Sequence, residues 1–217
     1  RWQTGKLNIK PTENQKVKKC FYEDAIGLLY ELGTTNLTDT SLPEYISAWQ
    51  SQGITIMALT SRSPKYRFPT ERELIKHNVD FSITQLKSVE GNKVMYDYSL
   101  KRDLSYMNGI MMTEGMNKGK MLKLILNRTG QDFKSIVFID DSYHNIENIY
   151  NEFKTNSEID MDIIYYQKVI NDRKRKNGGV VLTKKQADKM AKDWTQLQKT
   201  LNKIFPGRNT SDCVSPY

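Results

Sequence analysis

Two adjacent carboxylates, Asp140 and Asp141, directly follow an apolar run. That run, residues 136–139, predicts a strand buried on both faces, because continuous apolar sequence suits a parallel sheet covered by helices. The carboxylates then lie at the carboxyl end of the strand, where ligands bind in open parallel sheets. Two adjacent carboxylates suit a hard cation such as Mg²⁺. A solvated Asp-Asp turn that caps the next helix is the commoner structural explanation.

Polar side chains also follow an earlier apolar run. Residues 54–59 predict a buried strand, and Thr60 and Ser61 stand at its end. A hydroxyl beside a free backbone N–H at such a position is suited to holding a phosphate oxygen, although an ordinary polar strand end is more common. Lys118 opens a predicted helix, where the helix dipole disfavours a cation. This energetic cost favours a site in which the charge of Lys118 binds an anion. A solvated lysine is the alternative.

The composition favours one substantial folded core. The chain has 217 residues, 38% of them apolar. No stretch approaches the roughly 20 apolar residues that a membrane span needs. The net charge of +8 favours phosphorylated, nucleic-acid or anionic-membrane partners, but we interpret it as lysines scattered along the chain. Cys20 and Cys213 lie near opposite ends without metal-ligand spacing, so they do not define a redox compartment.

Apolar periodicity divides the chain into alternating helices and strands. We predict a polar lead-in and a helix over residues 1–40, an α/β core over 41–178, and an amphipathic helix with a tail over 179–217, packed on the same domain. Within the core, residues 79–113 form a small insertion or lid with strands around the turn signal Asn108-Gly109. The other local predictions are a capping box at Ser41 and Glu44, another at Thr183 and Gln186, a helix over Asn145–Phe153, a strand over Met161–Gln167 and a basic loop over 171–179.

The alternation of strands and helices predicts an α/β fold with a parallel sheet flanked by helices. Three segments carry the chemical residues in chain order: IMALTSRS, MNKGKMLKLIL and VFIDDSYHN. They resemble the second, third and fourth motifs of the haloacid dehalogenase (HAD) superfamily of Mg²⁺-dependent phosphohydrolases, which has a Rossmann-like fold. The resemblance covers about residues 40–165, and the sequence is similar to a little-characterised bacterial branch of that superfamily. A response-regulator receiver domain uses the same residue types, but its acidic pair comes first in the chain.

The resemblance implies a role for each matching residue. Thr60, Ser61 and Lys118 would bind the phosphoryl group, with Lys120 as the alternative to Lys118. Asp140 and Asp141 would bind Mg²⁺, with Asn145 in support. The implied activity is hydrolysis of a phosphomonoester, in a small molecule or a phosphoprotein, through an aspartyl-phosphate intermediate.

One family motif has no counterpart in the 217 residues: an apolar strand ending in Asp-x-Asp, whose first Asp is the nucleophile. Asp160 and Asp162 have the spacing, but apolar residues follow them instead of preceding them. In the family this strand is central to the sheet, and its removal would leave the backbone groups of its neighbours without partners. We therefore expect an upstream segment to supply it, shortly before Trp2.

Two other functions remain open from the sequence. The first is a catalytically inactive phosphate-binding or protein-interaction module with the same fold. The second is a nucleic-acid-binding module that uses the basic residues 171–176. The lack of aromatic residues among these cations argues against nucleic-acid binding. Arg1 follows no methionine or signal-like segment, so both an exported and a cytoplasmic bacterial location stay open.

Overall fold

A computed structural model describes residues 26–206. Within these residues the chain forms seven α-helices and six strands, as a mixed α/β fold. In chain order they are α1 (Gly27–Leu32), α2 (Leu42–Ser51), β1 (Ala58–Thr60), α3 (Arg67–Lys76), β2 (Tyr96–Ser99), β3 (Asp103–Met107), β4 (Ile110–Met112), α4 (Lys118–Thr129), β5 (Ser135–Asp140), α5 (Tyr143–Phe153), β6 (Asp160–Tyr165), α6 (Lys168–Lys176) and α7 (Lys184–Ile204). The predicted lead-in over residues 1–19 and the tail over 208–217 lie outside the described residues.

The described residues fall into two compact units. One unit is residues 35–166 and contains β1–β6 with α2–α5; the other combines residues 26–34 with 167–206 and contains α1, α6 and α7. The predicted division at residues 40 and 178 stays a prediction. No helix in the described part of the chain combines the length and the apolar character that crossing a membrane requires.

A four-stranded sheet has the order β1-β4-β3-β2. β1 is parallel to β4, whereas β3 is antiparallel to both β4 and β2. The β3–β4 hairpin turns at Asn108 (φ 51°) and Gly109 (φ 73°), so the Asn-Gly turn signal is confirmed. A Cβ on Gly109 would lie 2.3 Å from the carbonyl oxygen of Phe81, so only glycine fits. The strands of residues 96–112 therefore extend the sheet that contains β1.

β5 and β6 form a separate parallel pair, in register from Ser135 opposite Asp160 to Asp140 opposite Tyr165. Helix α5 connects the two strands, as a parallel connection requires. β5 was predicted to be buried on both faces, and this is wrong. Phe138 is buried, but Val137 and Ile139 are 58% and 51% exposed. Side chains alternate across a strand, and the described residues cover only one face of this pair.

Among residues 26–206, β1 and β5 each have one edge that pairs with no other strand, which we call the unpaired edge. In β1 the Ala58 N–H bonds Gly109 and the Thr60 carbonyl accepts from Thr113, so these peptide groups face β4. The peptide groups of Leu59 therefore point to the opposite edge. Carbonyls at the two ends of β5 accept from residues 160 and 166, so the peptide groups of residues 137 and 139 likewise face away from β6. Within residues 26–206 the two sheets share no strand pairing.

The core lies between these strands and the α4–α5 pair. Helix α4 has its apolar face inside, as its spacing predicts, and Ile149 of α5 and Tyr106 of β3 are fully buried. The buried apolar residues of α4 are Met121, Leu122, Ile125 and Leu126. The first residue of α4, Lys118, contacts Leu59 of β1 and Asp140 of β5, so the carboxyl ends of both strands lie beside the amino terminus of this helix.

Three local predictions need comment. The capping box at Thr183 and Gln186 is confirmed. The one at Ser41 and Glu44 is wrong, because the Ser41 hydroxyl donates to Asp39 instead of capping α2. The basic loop over 171–179 is also wrong, since residues 168–176 form α6. Asp172 pairs with both Lys168 and Arg175 along that helix, and such pairs stabilise helical backbone.

Candidate functional site

Lys118 connects the carboxyl ends of β1 and β5. Its ammonium Nζ donates to the Leu59 carbonyl oxygen and to Asp140 Oδ2, both at 2.6 Å. The Lys118 and Asp140 side chains are only 8% and 7% exposed. The structure thus brings two of the sequence-predicted residues into direct contact. The Leu59 carbonyl is the one that faces the unpaired edge of β1.

The start of α4 is held in place by its neighbours. The Asn117 side chain caps the helix by accepting from the Lys120 N–H at 3.0 Å, and it donates to Asn148 of α5 at 2.9 Å. Gly119 packs so closely on α5 that a Cβ there would lie 2.2 Å from the Asn148 carbonyl oxygen. These contacts position Lys118, the first residue of the helix. Lys120 is exposed, and no contact places it at the site.

Asp140 is oriented by hydrogen bonds to both of its oxygens. Oδ1 accepts from the Ser142 N–H at 2.8 Å and from Asn145 Nδ2 at 2.9 Å, while Oδ2 accepts from Lys118. Asn145, predicted to support the metal ligands, thus contacts Asp140. Asp141 is exposed. The two acids consequently have different environments, one fixed and one solvated.

Thr60 is half-buried and Ser61 is exposed at the end of β1. Thr60 Oγ1 accepts from the Arg62 N–H at 3.2 Å. A hydroxyl that accepts through its oxygen keeps its own proton for donation. Lys118 binds the carbonyl oxygen of Leu59. Thr60 is the next residue, and its hydroxyl belongs to the turn at residues 60–62.

Thr113 was not predicted as a site residue. It is fully buried, and its N–H and its hydroxyl both donate to the Thr60 carbonyl at 3.0 Å. The next residue, Glu114, has a φ of 46° and donates its N–H to the Arg62 carbonyl. Residues 113–114 therefore fix the turn at residues 60–62. The available signal was the position of Thr113 at the end of a predicted strand.

A family model described as a protein of unknown function (DUF2608) matches residues 1–206. The chain belongs to this family. No curated protein and no solved structure matches it. The family description assigns no activity, so the chemistry of the DUF2608 chain has to be argued from its own residues.

The acidic pair of this DUF2608 chain, Asp140 and Asp141, contains oxygen atoms that could bind Mg²⁺. Within residues 26–206 no three or more His, Cys, Asp or Glu side chains are grouped closely enough to form a metal site by themselves. Mg²⁺ is commonly held by one or two carboxylates together with water and substrate phosphate. A carboxylate offers about four lone-pair sites, and the three donors to Asp140 leave one of them, on Oδ2. This lone pair and the exposed Asp141 carboxylate are oxygen donors of the chemical type that Mg²⁺ takes.

Proposed function

We propose that the chain is the larger part of a Mg²⁺-dependent phosphomonoester hydrolase that works through an aspartyl-phosphate, as in the HAD superfamily that its sequence resembles. One observation carries the proposal: a buried ammonium group that contacts the carboxyl ends of both β1 and β5, 2.6 Å from the first of two adjacent carboxylates. The helix dipole disfavours a cation at a helix start, and the carboxylate of Asp140 offsets part of this cost. A phosphoryl group is the anion that suits this environment.

Lys118 and Thr60 have the free donors that phosphate binding needs. An ammonium group has three N–H donors, and the contacts of Lys118 with Leu59 and Asp140 use two of them. The third can donate to a phosphoryl oxygen, as can the hydroxyl of Thr60. These donors offset the charge that develops on the transferring group, which is the main task of a phosphoryl-transfer site.

Asp140 and Asp141 would hold Mg²⁺, with Asn145 fixing the orientation of Asp140. When bound, the ion would offset negative charge on the phosphoryl oxygens. Asp140 also keeps the Lys118 ammonium in place, so loss of Asp140 affects the metal and the cation together. Asp141 makes no comparable internal contact, and its role can be tested separately.

The nucleophile would come from a strand between β1 and β5. The peptide groups of Leu59 face away from β4 and those of Val137 and Ile139 face away from β6, and strand edges of this kind are normally covered or paired. A carboxylate at the end of such a strand would bond to phosphorus as the bond to the leaving alcohol breaks. A second carboxylate would give the alcohol its proton and then accept one from the water that hydrolyses the acyl phosphate.

A second candidate is a phosphate-binding or interaction module without catalysis. It is favoured by the way in which Lys118 and Asp140 already satisfy each other in a buried ion pair. Such a pair is stable without any ligand only because each partner neutralises the other. This candidate needs no strand that carries a nucleophile.

The test is Mg²⁺-dependent hydrolysis of p-nitrophenyl phosphate by the full-length gene product, compared with the 217-residue chain. We expect activity in the full-length product alone, and its loss on substitution of Lys118. A folded full-length product that binds inorganic phosphate without hydrolysing the ester would support the inactive module. Activity in the 217-residue chain by itself would overturn the assignment of the nucleophile to another segment.

A further inference from the structure

The net positive charge of the chain comes from one segment. Residues 167–206 contain 11 lysines and arginines but only 3 acids, so they carry +8, while the other 177 residues have 22 cations and 22 acids. The cations are scattered along the chain, but outside this segment the acids balance them completely. The whole net charge lies on the segment that forms α6 and α7.

Four lysines of α7 form a straight row. Lys185, Lys192 and Lys199 are seven residues apart, and Lys203 follows four residues later. At 3.6 residues per turn these spacings place them on one side of the helix, over about 27 Å at 1.5 Å per residue. All four are exposed. The buried residues of α7 lie on the opposite side: Ala187, Ala191, Trp194 and Leu201.

The three acidic residues of this segment form ion pairs with cations outside the row. Asp188 pairs with Lys184, Asp193 with Lys189, and Asp172 with two cations of α6. The four lysines of the row make no ion pair with a carboxylate in the described residues. They present charge that nothing else in residues 26–206 neutralises.

Apolar side chains follow the row at its carboxyl end. Ile204 and Phe205 are 60% and 54% exposed, next to Lys203. The apolar stripe of α7 is internal, so the helix cannot bury that face in a bilayer. It can rest on a charged plane through its lysines and insert one short apolar end at the headgroup boundary.

We propose that the lysine row of α7 binds an anionic lipid surface. A straight row can place all four amines on a plane at once, whereas the phosphates of a nucleic-acid duplex wind around a curved surface. The exposed Ile204 and Phe205 have a use at a lipid headgroup boundary and none on a phosphate backbone. Phe205 is the one exposed aromatic side chain beside the row in the described residues, whereas binding to single-stranded bases uses several aromatic side chains in succession. This proposal is independent of the hydrolase activity.

The test is sedimentation of the 217-residue chain with vesicles of phosphatidylcholine that contain about 30% phosphatidylserine. We expect binding that disappears in pure phosphatidylcholine and weakens steeply with salt, because exposed charges are screened. Each lysine at an anionic surface contributes about a fivefold gain in affinity. The triple variant Lys185→Gln/Lys192→Gln/Lys199→Gln should therefore bind about a hundredfold more weakly.

A matched control removes three exposed lysines of the other unit, Lys87→Gln/Lys93→Gln/Lys101→Gln. It has the same net charge as the row variant and should keep most of the vesicle binding. Phe205→Ser should weaken binding to vesicles without affecting binding to a DNA duplex. Equal losses in both triple variants, no binding to anionic vesicles, or tighter binding to the duplex at the same salt concentration would each overturn the proposal.

Discussion

The Lys118 ammonium and the Asp140 carboxylate lie 2.6 Å apart, and each side chain is more than nine-tenths buried. Removing one partner of such a pair leaves an uncompensated buried charge, whereas removing both costs less. We expect Lys118→Met to lower the free energy of unfolding by about 3–5 kcal/mol. The double variant Lys118→Met/Asp140→Asn should cost clearly less than the sum of the single variants. Urea denaturation of the four proteins measures this, and additive losses would contradict a coupled pair.

Asp141 should separate catalysis from stability. It is exposed, so Asp141→Asn should leave the urea midpoint of the chain nearly unchanged. In the full-length product we expect it to lower turnover of p-nitrophenyl phosphate about a hundredfold, the usual effect of losing one electrostatic contact. Asp162→Asn, which removes another exposed acid, is the control. Wild-type turnover in Asp141→Asn would exclude Asp141 as a metal ligand.

Gly119→Ala should destabilise the chain although alanine is the better helix former. A Cβ at this position would meet the Asn148 carbonyl oxygen at 2.2 Å, so α4 would have to move away from α5. Overpacking of this kind costs about 1–3 kcal/mol. Since Lys118 precedes this contact, turnover of the full-length product should fall as well. A stabilised variant, as expected for Gly→Ala in an open helix, would show that the two helices do not pack this closely in solution.

Glu73 should make the stability of the 35–166 unit depend on acid pH. The hydrogen bond from the Thr35 N–H, supported by the Thr35 hydroxyl, Arg72 and Lys76 and opposed by burial, lowers the pKa of Glu73 from 4.5 to about 2. A carboxyl with a lowered pKa stabilises the fold above its unfolded pKa. This contribution is therefore complete above about pH 4.5 and is lost as the pH falls towards 2. Carboxyl NMR titration measures it directly, and a Glu73 midpoint near 4.5 would contradict the contact with Thr35.

The sequence predicted the features that depend on neighbouring residues. The turn at Asn108-Gly109, the cap at Thr183 and the start of α4 before Lys118 all have short-range chemical causes. Val137 and Ile139 were misjudged because an apolar sequence reports the tendency to be buried, not the presence of a covering layer. The approach of Gly119 to Asn148 and the contact of Thr113 with Thr60 join residues 29 and 53 positions apart, so no local pattern reveals them. Helix α6 was missed because its charges suggested solvent exposure, which does not exclude a helix.

The edges of β1 and β5 that no strand within residues 26–206 pairs also affect how the chain behaves at high concentration. An open strand edge is a template on which a second molecule can add a strand. Val137 and Ile139 expose apolar surface beside the edge of β5, so such addition would also remove this surface from water. Self-association of the 217-residue chain should therefore increase with concentration, and a short synthetic peptide that occupies the edge should suppress it.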